Sequence, residues 1–104
     1  MEKVINVGIT GFGRVGKCVF LQLLEMEGVS IKVVNTSLSL DSIERYINRD
    51  SVHGKKTHVC TILDDNNIII DHHMIRIVSS RVPGEINWRE LGVDYLFETT
   101  GVFL

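Results

Sequence analysis

The first third of the chain alternates a short apolar run, an amphipathic stretch and a second apolar run. The β-branched run Lys3–Thr10 stops at glycines and predicts a strand buried on both faces. Between Arg14 and Glu27, apolar residues at three- and four-residue spacing predict a helix that packs through Val15, Cys18, Val19, Leu23 and Met26. Gly28 is a stop signal, and Ser30–Asn35 predicts a second strand. This order is typical of a right-handed crossover in a parallel sheet.

The middle of the chain predicts a second helix followed by an antiparallel meander. Ser39 is a suitable cap for a helix whose apolar face holds Leu40, Ile43 and Ile47, and which ends before Asp50. Three β-rich runs follow, separated by turn residues at Asp64-Asp65-Asn66 and His72-His73, and they are Thr57–Leu63, Asn67–Asp71 and Met74–Ser79.

The last part of the chain predicts a capped turn and a final strand. Pro83-Gly84 breaks the chain, and Asn87 then caps a short helical turn that Gly92 closes. Tyr95–Thr99 reads as the closing strand, and Trp88 and Phe97 are interpreted as core residues.

Size and composition indicate one small globular domain. The chain has 104 residues, of which 44% are hydrophobic and 23% charged. A chain of this length holds a single domain, here residues 1–104, and is too short for a two-domain enzyme.

Charge and apolar runs exclude several classes of protein. The net charge is −2 and no basic cluster is present, so we expect no nucleic-acid partner. The apolar stretches are too short to cross a membrane, and no secretory leader is recognisable, so we expect a cytoplasmic protein. Cys18 and Cys60 are then expected to be reduced, packed cysteines.

A glycine motif lies directly after the first strand and opens the first helix. It fits G-x-G-x-x-G as Gly11-Phe12-Gly13-Arg14-Val15-Gly16. The first glycine permits a tight turn, the second lets a pyrophosphate approach the backbone, and the third allows the helix to pack closely on the strand. The helix N-terminus then presents N–H groups to the phosphates. The motif predicts dinucleotide binding in an α/β, Rossmann-type parallel sheet.

The end of the second strand departs from this motif. An Asp or Glu about 20 residues after the glycines normally binds the ribose hydroxyls. Here Asn35-Thr36-Ser37 stand at that point, so Asn35 or Thr36 bonds a hydroxyl without charge. We expect binding weakened about tenfold and poor discrimination between NAD and NADP, within about 30-fold.

Other chemistry-bearing residues are assigned structural roles. His58, Cys60 and His72-His73 invite a metal interpretation, but structural zinc needs four ligands in paired spacings. We therefore assign no metal and expect solvated histidines with a packed thiol. Asp64-Asp65 is read as a turn, and Asp50 with His53 as loop hydrogen bonding, so no catalytic residue is assigned.

These residues together resemble the N-terminal part of the glyceraldehyde-3-phosphate dehydrogenase family. Four blocks carry the resemblance in order along the chain: Val7–Lys17, Asp50–Lys55, Ile86–Trp88 and Glu98–Phe103. The resemblance implies the NAD-binding domain of an enzyme that oxidises an aldehyde phosphate to an acyl phosphate. It also implies that Phe12–Val15 hold the pyrophosphate, and that the adenine pocket is lined by Thr99, Thr100, Gly101 and Phe103. The meander resembles the family's small antiparallel insertion.

The resemblance also shows what this chain lacks. The family usually has Asn at Thr10 and an Asn-Asp pair at Asn35-Thr36. Its catalytic thiol and histidine lie in a region beyond Leu104, so the chain is expected to bind NAD, with NADP not excluded, without being catalytic alone.

An incomplete sheet leaves Tyr95–Phe97 as an open apolar edge, and such edges recruit partners or aggregate. Two alternatives therefore stay open. One is a non-enzymatic protein that forms homo- or hetero-oligomers with dehydrogenase subunits, and the other is a ligand-free truncated paralogue.

Overall fold

The computed structural model describes residues 4–49, 51–52, 55–56, 58–71, 73–80 and 83–99. Two helices and eight strands are found in this part of the chain, together with a 3-10 turn at Pro83–Glu85. In chain order they are β1 (Ile5–Thr10), α1 (Arg14–Leu24), β2 (Val29–Asn35), α2 (Leu40–Arg49), β3 (Ser51–Val52), β4 (Lys55–Lys56), β5 (Cys60–Ile62), β6 (Asn67–Ile70), β7 (His73–Val78) and β8 (Tyr95–Glu98).

Six of the strands form one mixed sheet in the order β5-β6-β7-β2-β1-β8. β7, β2, β1 and β8 are parallel, whereas β5 and β6 pair antiparallel at one side. The short strands β3 and β4 form a separate antiparallel hairpin. The prediction of an incomplete Rossmann-type sheet with an antiparallel part is confirmed, with β7 serving both parts.

One apolar core joins the sheet to both helices. Phe12 packs edge-on against Phe20 of α1, with ring centroids 5.3 Å apart, and against Tyr46 of α2 at 5.9 Å. Full burial of one such large apolar side chain contributes roughly 1.5 to 3 kcal/mol. The most deeply buried members are Ile9, Phe20, Ile31, Ile43, Ile47, Ile68, Ile70 and Ile75.

The inner face of α1 differs from the predicted stripe. Phe20 and Leu23 are buried, whereas Cys18 is exposed and Val15 is 50% exposed. Positions 16, 20 and 23 share one side of a helix, and the large ring of Phe20 with the small Gly16 lets this side approach the sheet. The packed role predicted for Cys18 is therefore wrong. The helix also ends at Leu24, three residues before the predicted Glu27, so Met26 lies outside it.

The other face of the sheet is covered in part by the segment before β8. A Cβ built on Gly8 would lie 3.1 Å from the ring of Trp88, so the indole packs directly on the β1 backbone. Asn87 caps its turn by accepting a hydrogen bond from the Glu90 N–H at 3.2 Å, and Gly92 ends the turn at φ +82°. The interpretation of Trp88 as a packing residue holds, but Phe97 is 37% exposed and the core role predicted for it is wrong.

The two edges of the sheet are finished differently. At β5, the side chain of Asn48 on α2 accepts a hydrogen bond from the Cys60 N–H at 2.8 Å and donates one to the Cys60 carbonyl at 3.0 Å. At β8, every residue from Tyr95 to Glu98 is exposed. The predicted open edge is present, because no described strand pairs with the outer side of β8.

Candidate functional site

The glycine turn follows β1 at the carboxyl ends of the parallel strands. Gly11 has φ +102°, a left-handed conformation that favours glycine, and its N–H donates to the Asn35 carbonyl at 2.7 Å. The side chain of Phe12 is buried in the core. The buried ring of Phe12 thus anchors the turn to the core, and the backbone of the turn lies on the side away from the core.

Two further glycines of the motif serve different purposes. A Cβ on Gly16 would lie 2.5 Å from the Gly11 carbonyl oxygen and 2.9 Å from Oγ1 of Thr99, so only glycine lets α1 approach the turn. A Cβ on Gly13 would meet nothing within 4 Å. Gly13 has φ −83°, which residues with a side chain also adopt, so the backbone conformation does not require glycine here. The effect of glycine at this position is the open space left by the absent side chain.

The N-terminus of α1 presents backbone donors beside that space. Gly13 is the N-cap, and no side-chain hydrogen bond caps this helix in the described structure. The first main-chain bond of the turn runs from the Lys17 N–H to the Gly13 carbonyl at 2.9 Å. The N–H groups of the residues between them, starting at Arg14 and Val15, are free of intrahelical partners and suit an anion.

A cleft of about 590 Å³ opens over this turn and the carboxyl ends of β1 and β2. We call it the glycine-turn cleft. Its lining residues are Gly11, Phe12, Gly13, Lys17, Asn35, Thr36, Ser37, Leu38 and Thr99. In open α/β sheets, ligands bind at this end of the strands. The glycine motif and the residues at the end of β2, which are far apart in sequence, therefore meet in one cleft.

Asn35 lies in the cleft wall, but its side chain is bonded within the protein. Its Nδ2 donates to Oγ1 of Thr10 at 2.9 Å and to the Ser80 carbonyl at 3.1 Å. Its Oδ1 accepts from the Ser80 N–H at 2.8 Å. Both amide hydrogens are used, so Asn35 has no donor left for a ligand hydroxyl.

Thr36 and Thr99 are better placed to offer polar groups. Oγ1 of Thr36 accepts from the Leu38 N–H at 3.1 Å, which leaves its own O–H to donate. The Thr99 hydroxyl donates to the Thr10 carbonyl at 2.8 Å and keeps its acceptor capacity. Of the remaining predicted site residues, Val15 is half-exposed at the start of α1, and Thr100, Gly101 and Phe103 lie outside the described residues.

Lys17 is a cleft residue that sequence reasoning missed. Its ammonium lies 4.4 Å from the centroid of the Tyr46 ring, within the range of a cation–π contact. The G-x-G-x-x-G motif directs attention to the six residues Gly11–Gly16, and Lys17 follows the last of them. Its place in the first turn of α1 was a usable signal, because anions commonly bind at helix N-termini.

The other candidate residues have structural partners. Nδ1 of His58 donates to Oδ2 of Asp71 at 2.7 Å, and His58 is 8% exposed, so the solvated role predicted for it is wrong. Burial, with the charge of Glu44 adding to it, raises the pKa of the Cys60 thiol to about 11, so this packed thiol stays protonated. Oδ1 of Asp64 accepts from the Asn66 N–H at 2.8 Å, which is the predicted turn.

The described residues contain neither a metal cluster nor a membrane-spanning helix. No group of three or more His, Cys, Asp and Glu is close enough there to hold a metal ion, and no helix there is long and apolar enough to cross a membrane. Asp50, His53 and His72 lie outside the described residues.

Comparison with known proteins assigns this arrangement. The family model described as glyceraldehyde 3-phosphate dehydrogenase, NAD binding domain, matches residues 5–104. The chain belongs to this family. The resemblance seen in the four sequence blocks is confirmed.

Glyceraldehyde-3-phosphate dehydrogenases from several organisms are similar to the chain over nearly its whole length. The enzyme of Escherichia fergusonii is 35% identical over 100 residues, and that of Pleurotus sajor-caju is 38% identical over 101 residues. Each alignment covers 96% of this chain and 30% of the relative. Glyceraldehyde-3-phosphate dehydrogenase 1 of Trichormus variabilis is 37% identical, with 95% of the chain and 29% of the relative covered. The chain thus spans about a third of the length of these relatives.

Proposed function

We propose that the chain binds a nicotinamide dinucleotide in the glycine-turn cleft. The observation that carries the proposal is the combination at Gly13: the position of its missing Cβ is open, and it lies beside uncapped helix N–H groups. A pyrophosphate needs close approach to backbone donors at the positive end of a helix dipole, and this arrangement provides it.

The residues around this point divide the binding between them. The N–H groups that start at Arg14 and Val15 hold the pyrophosphate, and Gly11 and Phe12 fix the turn that aims them. Thr36 donates to a ribose hydroxyl. Asn35 holds the ends of the strands together through its hydrogen bonds to Thr10 and Ser80. Thr99 lines the cleft, and the family pattern implies that it contributes to the adenine pocket. The same pattern implies this role for Thr100, Gly101 and Phe103, which lie outside the described residues.

The missing acid at the end of β2 sets the expected strength and selectivity. A neutral hydroxyl contributes about 1 kcal/mol, against roughly 1.5 to 3 kcal/mol for a charged partner, so binding is about tenfold weaker than with a carboxylate. Without a carboxylate to repel a 2′-phosphate, NAD and NADP bind within about 30-fold of each other.

The chain is proposed to serve an oxidoreductase of glycolysis rather than to catalyse alone. Its relatives are glyceraldehyde-3-phosphate dehydrogenases, and the chain spans about a third of their length. Cys18 is not among the described residues that line the glycine-turn cleft, and the thiol of Cys60 is buried and protonated, so neither is placed to supply the thiolate that aldehyde oxidation needs. The cofactor supplies hydride transfer when bound, and this domain positions its adenosine half.

Calorimetric titration of the chain with NAD and NADP tests the proposal. Gly13→Asp places a carboxylate against the pyrophosphate and is expected to abolish saturable binding of both cofactors. Gly84→Asp is the matched control, because a Cβ on Gly84 also meets nothing within 4 Å and Gly84 lies in the 3-10 turn, outside the cleft lining. This control is expected to bind as the unaltered chain does.

Two results would contradict the proposal. One is a folded chain, judged by circular dichroism, that binds neither cofactor at millimolar concentration. The other is equal loss of binding in Gly13→Asp and Gly84→Asp, because the effect would then not depend on the cleft.

A second candidate function is association with dehydrogenase subunits through the edge of β8. The observation that favours it is the exposure of three apolar side chains on this strand: Tyr95 by 63%, Leu96 by 40% and Phe97 by 37%. An exposed apolar edge strand is a template for pairing with another chain.

Co-purification with a full-length subunit tests this second function. We expect association with the unaltered chain, and its loss in a Tyr95→Lys and Phe97→Lys double variant that places charges along the edge. Failure of the unaltered chain to co-purify, or a double variant that still associates, would contradict association through the edge of β8. A sharp monomer peak at high concentration, with cooperative melting, would likewise count against self-association.

A further inference from the structure

The described lining of the glycine-turn cleft carries a positive charge and no negative one, which is unusual for a site that binds ribose hydroxyls. No Asp or Glu is among the described residues that line it, and Lys17 is the cation among them. A cleft with one cation and no anion favours an anionic ligand. The ordinary selectivity against a 2′-phosphate, which a carboxylate enforces, is absent from this lining.

Lys17 is held in place rather than left to move in solvent. Its residue is partly buried, and its ammonium lies 4.4 Å from the centroid of the Tyr46 ring. No ion pair joins Lys17 to a carboxylate of the described residues. The ring fixes the position of the ammonium while its N–H donors stay available, since a π face occupies one side of the group.

Hydroxyl donors complete the polar lining near the end of β2. Thr36 keeps its O–H as a donor, because its oxygen already accepts from the Leu38 N–H. Ser37 is exposed and lines the same cleft. Asn35 takes no part, since both hydrogens of its amide are bonded to Thr10 and Ser80. The free donors of the cleft lining thus include the hydroxyls of Thr36 and Ser37 at the end of β2 and the Lys17 ammonium on α1.

We propose that Lys17 is the specificity-determining residue that binds the 2′-phosphate of NADP, with Thr36 and Ser37 as hydroxyl donors. This inference rests on the proposed dinucleotide function and deepens it. The Lys17 charge compensates a phosphate that the neutral residues at the end of β2 would otherwise hold weakly.

The first test needs no substitution. Adenosine 2′,5′-bisphosphate and adenosine 5′-monophosphate differ in the 2′-phosphate alone, and both are titrated into the unaltered chain. We expect the bisphosphate to bind about tenfold more tightly, with an advantage that shrinks as salt rises. Equal binding of the two nucleotides, or tighter binding of the monophosphate, overturns the proposal.

The second test assigns the effect to Lys17. Lys17→Met keeps the apolar stem and removes the charge, and it is expected to weaken NADP binding by about tenfold or more while NAD changes by less than about threefold. Lys17→Arg is expected to retain NADP binding. Lys32→Met, which removes an exposed lysine of β2 outside the cleft lining, is the control and should leave both affinities unchanged.

The outcomes separate this proposal from the one on which it rests. Equal weakening of NAD and NADP in Lys17→Met places the ammonium at the pyrophosphate and overturns the assignment, while the dinucleotide site survives. A chain that binds NAD but discriminates against the 2′-phosphate also overturns it alone. A chain that binds neither cofactor overturns both proposals.

Discussion

Two asparagine side chains in different regions of this protein satisfy the backbone hydrogen-bonding groups of a distant residue. Asn35 lies at the end of β2 in the cleft wall, and Asn48 lies on α2 beside the edge strand β5. Each amide bonds both the N–H and the C=O of one distant residue, Ser80 for Asn35 and Cys60 for Asn48. In both places a side chain satisfies a backbone segment as a neighbouring strand would.

The difference between the two lies in what else each amide must hold. Asn48 bonds Cys60 alone and is partly exposed, whereas Asn35 is 5% exposed and also donates to Thr10 at 2.9 Å. Asn35 therefore ties together the ends of β1, β2 and the segment after β7. Asn35, which the sequence offered as a ribose ligand, thus holds the wall of the cleft together through these hydrogen bonds, and we propose that Thr36 contacts the ligand instead.

The largest expected effect is at Asn35. Asn35→Ala removes three hydrogen bonds of a buried side chain and is expected to lower the free energy of unfolding by about 3 kcal/mol, at about 1 kcal/mol for each bond. Urea denaturation measures it. Asn35→Asp serves as a control, since it keeps the shape but turns an oxygen toward the Ser80 carbonyl, so it should destabilise as well. A stable Asn35→Asp variant with improved NAD binding would refute the structural role given to Asn35.

The second effect, at Asn48, sharpens the comparison. Asn48→Ala removes two hydrogen bonds at the β5 edge and is expected to cost about 2 kcal/mol in the same denaturation experiment. It should leave cofactor affinity unchanged, unlike Asn35→Ala. Because the two residues have no partner in common, the double variant should be additive within about 0.5 kcal/mol. A greater loss of stability in Asn48→Ala than in Asn35→Ala would contradict the larger structural role of Asn35.

The smallest effect concerns stability in acid at the turn between β6 and β7. There the carboxylate of Asp71, rather than an asparagine amide, accepts a hydrogen bond from His58. Partial burial raises the pKa of Asp71, but hydrogen bonds from His58 and the Val59 N–H, with the nearby charges of His58 and His73, outweigh it, so the pKa lies below 3.8. A lowered pKa stabilises the fold above the ordinary value of 3.8 and loses this contribution as pH falls below it.

Asp71→Asn is therefore expected to reduce stability near neutral pH and to flatten the loss seen in acid. Denaturation at about pH 5 and about pH 2.5 measures this difference. Asp65→Asn, which removes an exposed carboxylate in the turn between β5 and β6, is the control and is expected to keep the acid dependence of the unaltered chain. An Asp71→Asn variant with the same acid dependence as the unaltered chain would show that the hydrogen bond between His58 and Asp71 does not contribute to stability.

The sequence alone predicts the parts of the fold that are set by near neighbours. The glycine motif, the Ser39 cap and the Asp64 turn are local arrangements, and each is found where its residues suggest. The Ser42 N–H, for example, donates to Oγ of Ser39 at 3.1 Å. The inner face of α1 was harder to predict, because helical spacing allows more than one stripe and the choice depends on which side meets the sheet.

The partners of Asn35 and the setting of Lys17 could not be predicted, because both depend on long-range packing. Ser80 is 45 residues from Asn35 in the chain. The ring of Tyr46, which holds Lys17, belongs to another helix. The sequence therefore predicted that the glycine motif and the end of β2 lie close together, but it did not predict that both amide hydrogens of Asn35 are bonded within the protein.

The packing of Trp88 on Gly8 gives this protein a built-in optical reporter. Trp88 is the single tryptophan of the chain, and its ring lies 3.1 Å from the position of a Gly8 Cβ, on the strand that leads into the glycine turn. Its emission should shift to the red when the segment before β8 leaves the sheet, because the indole then enters water. Fluorescence can thus follow the detachment of this segment without any added dye, independently of signals from the antiparallel side.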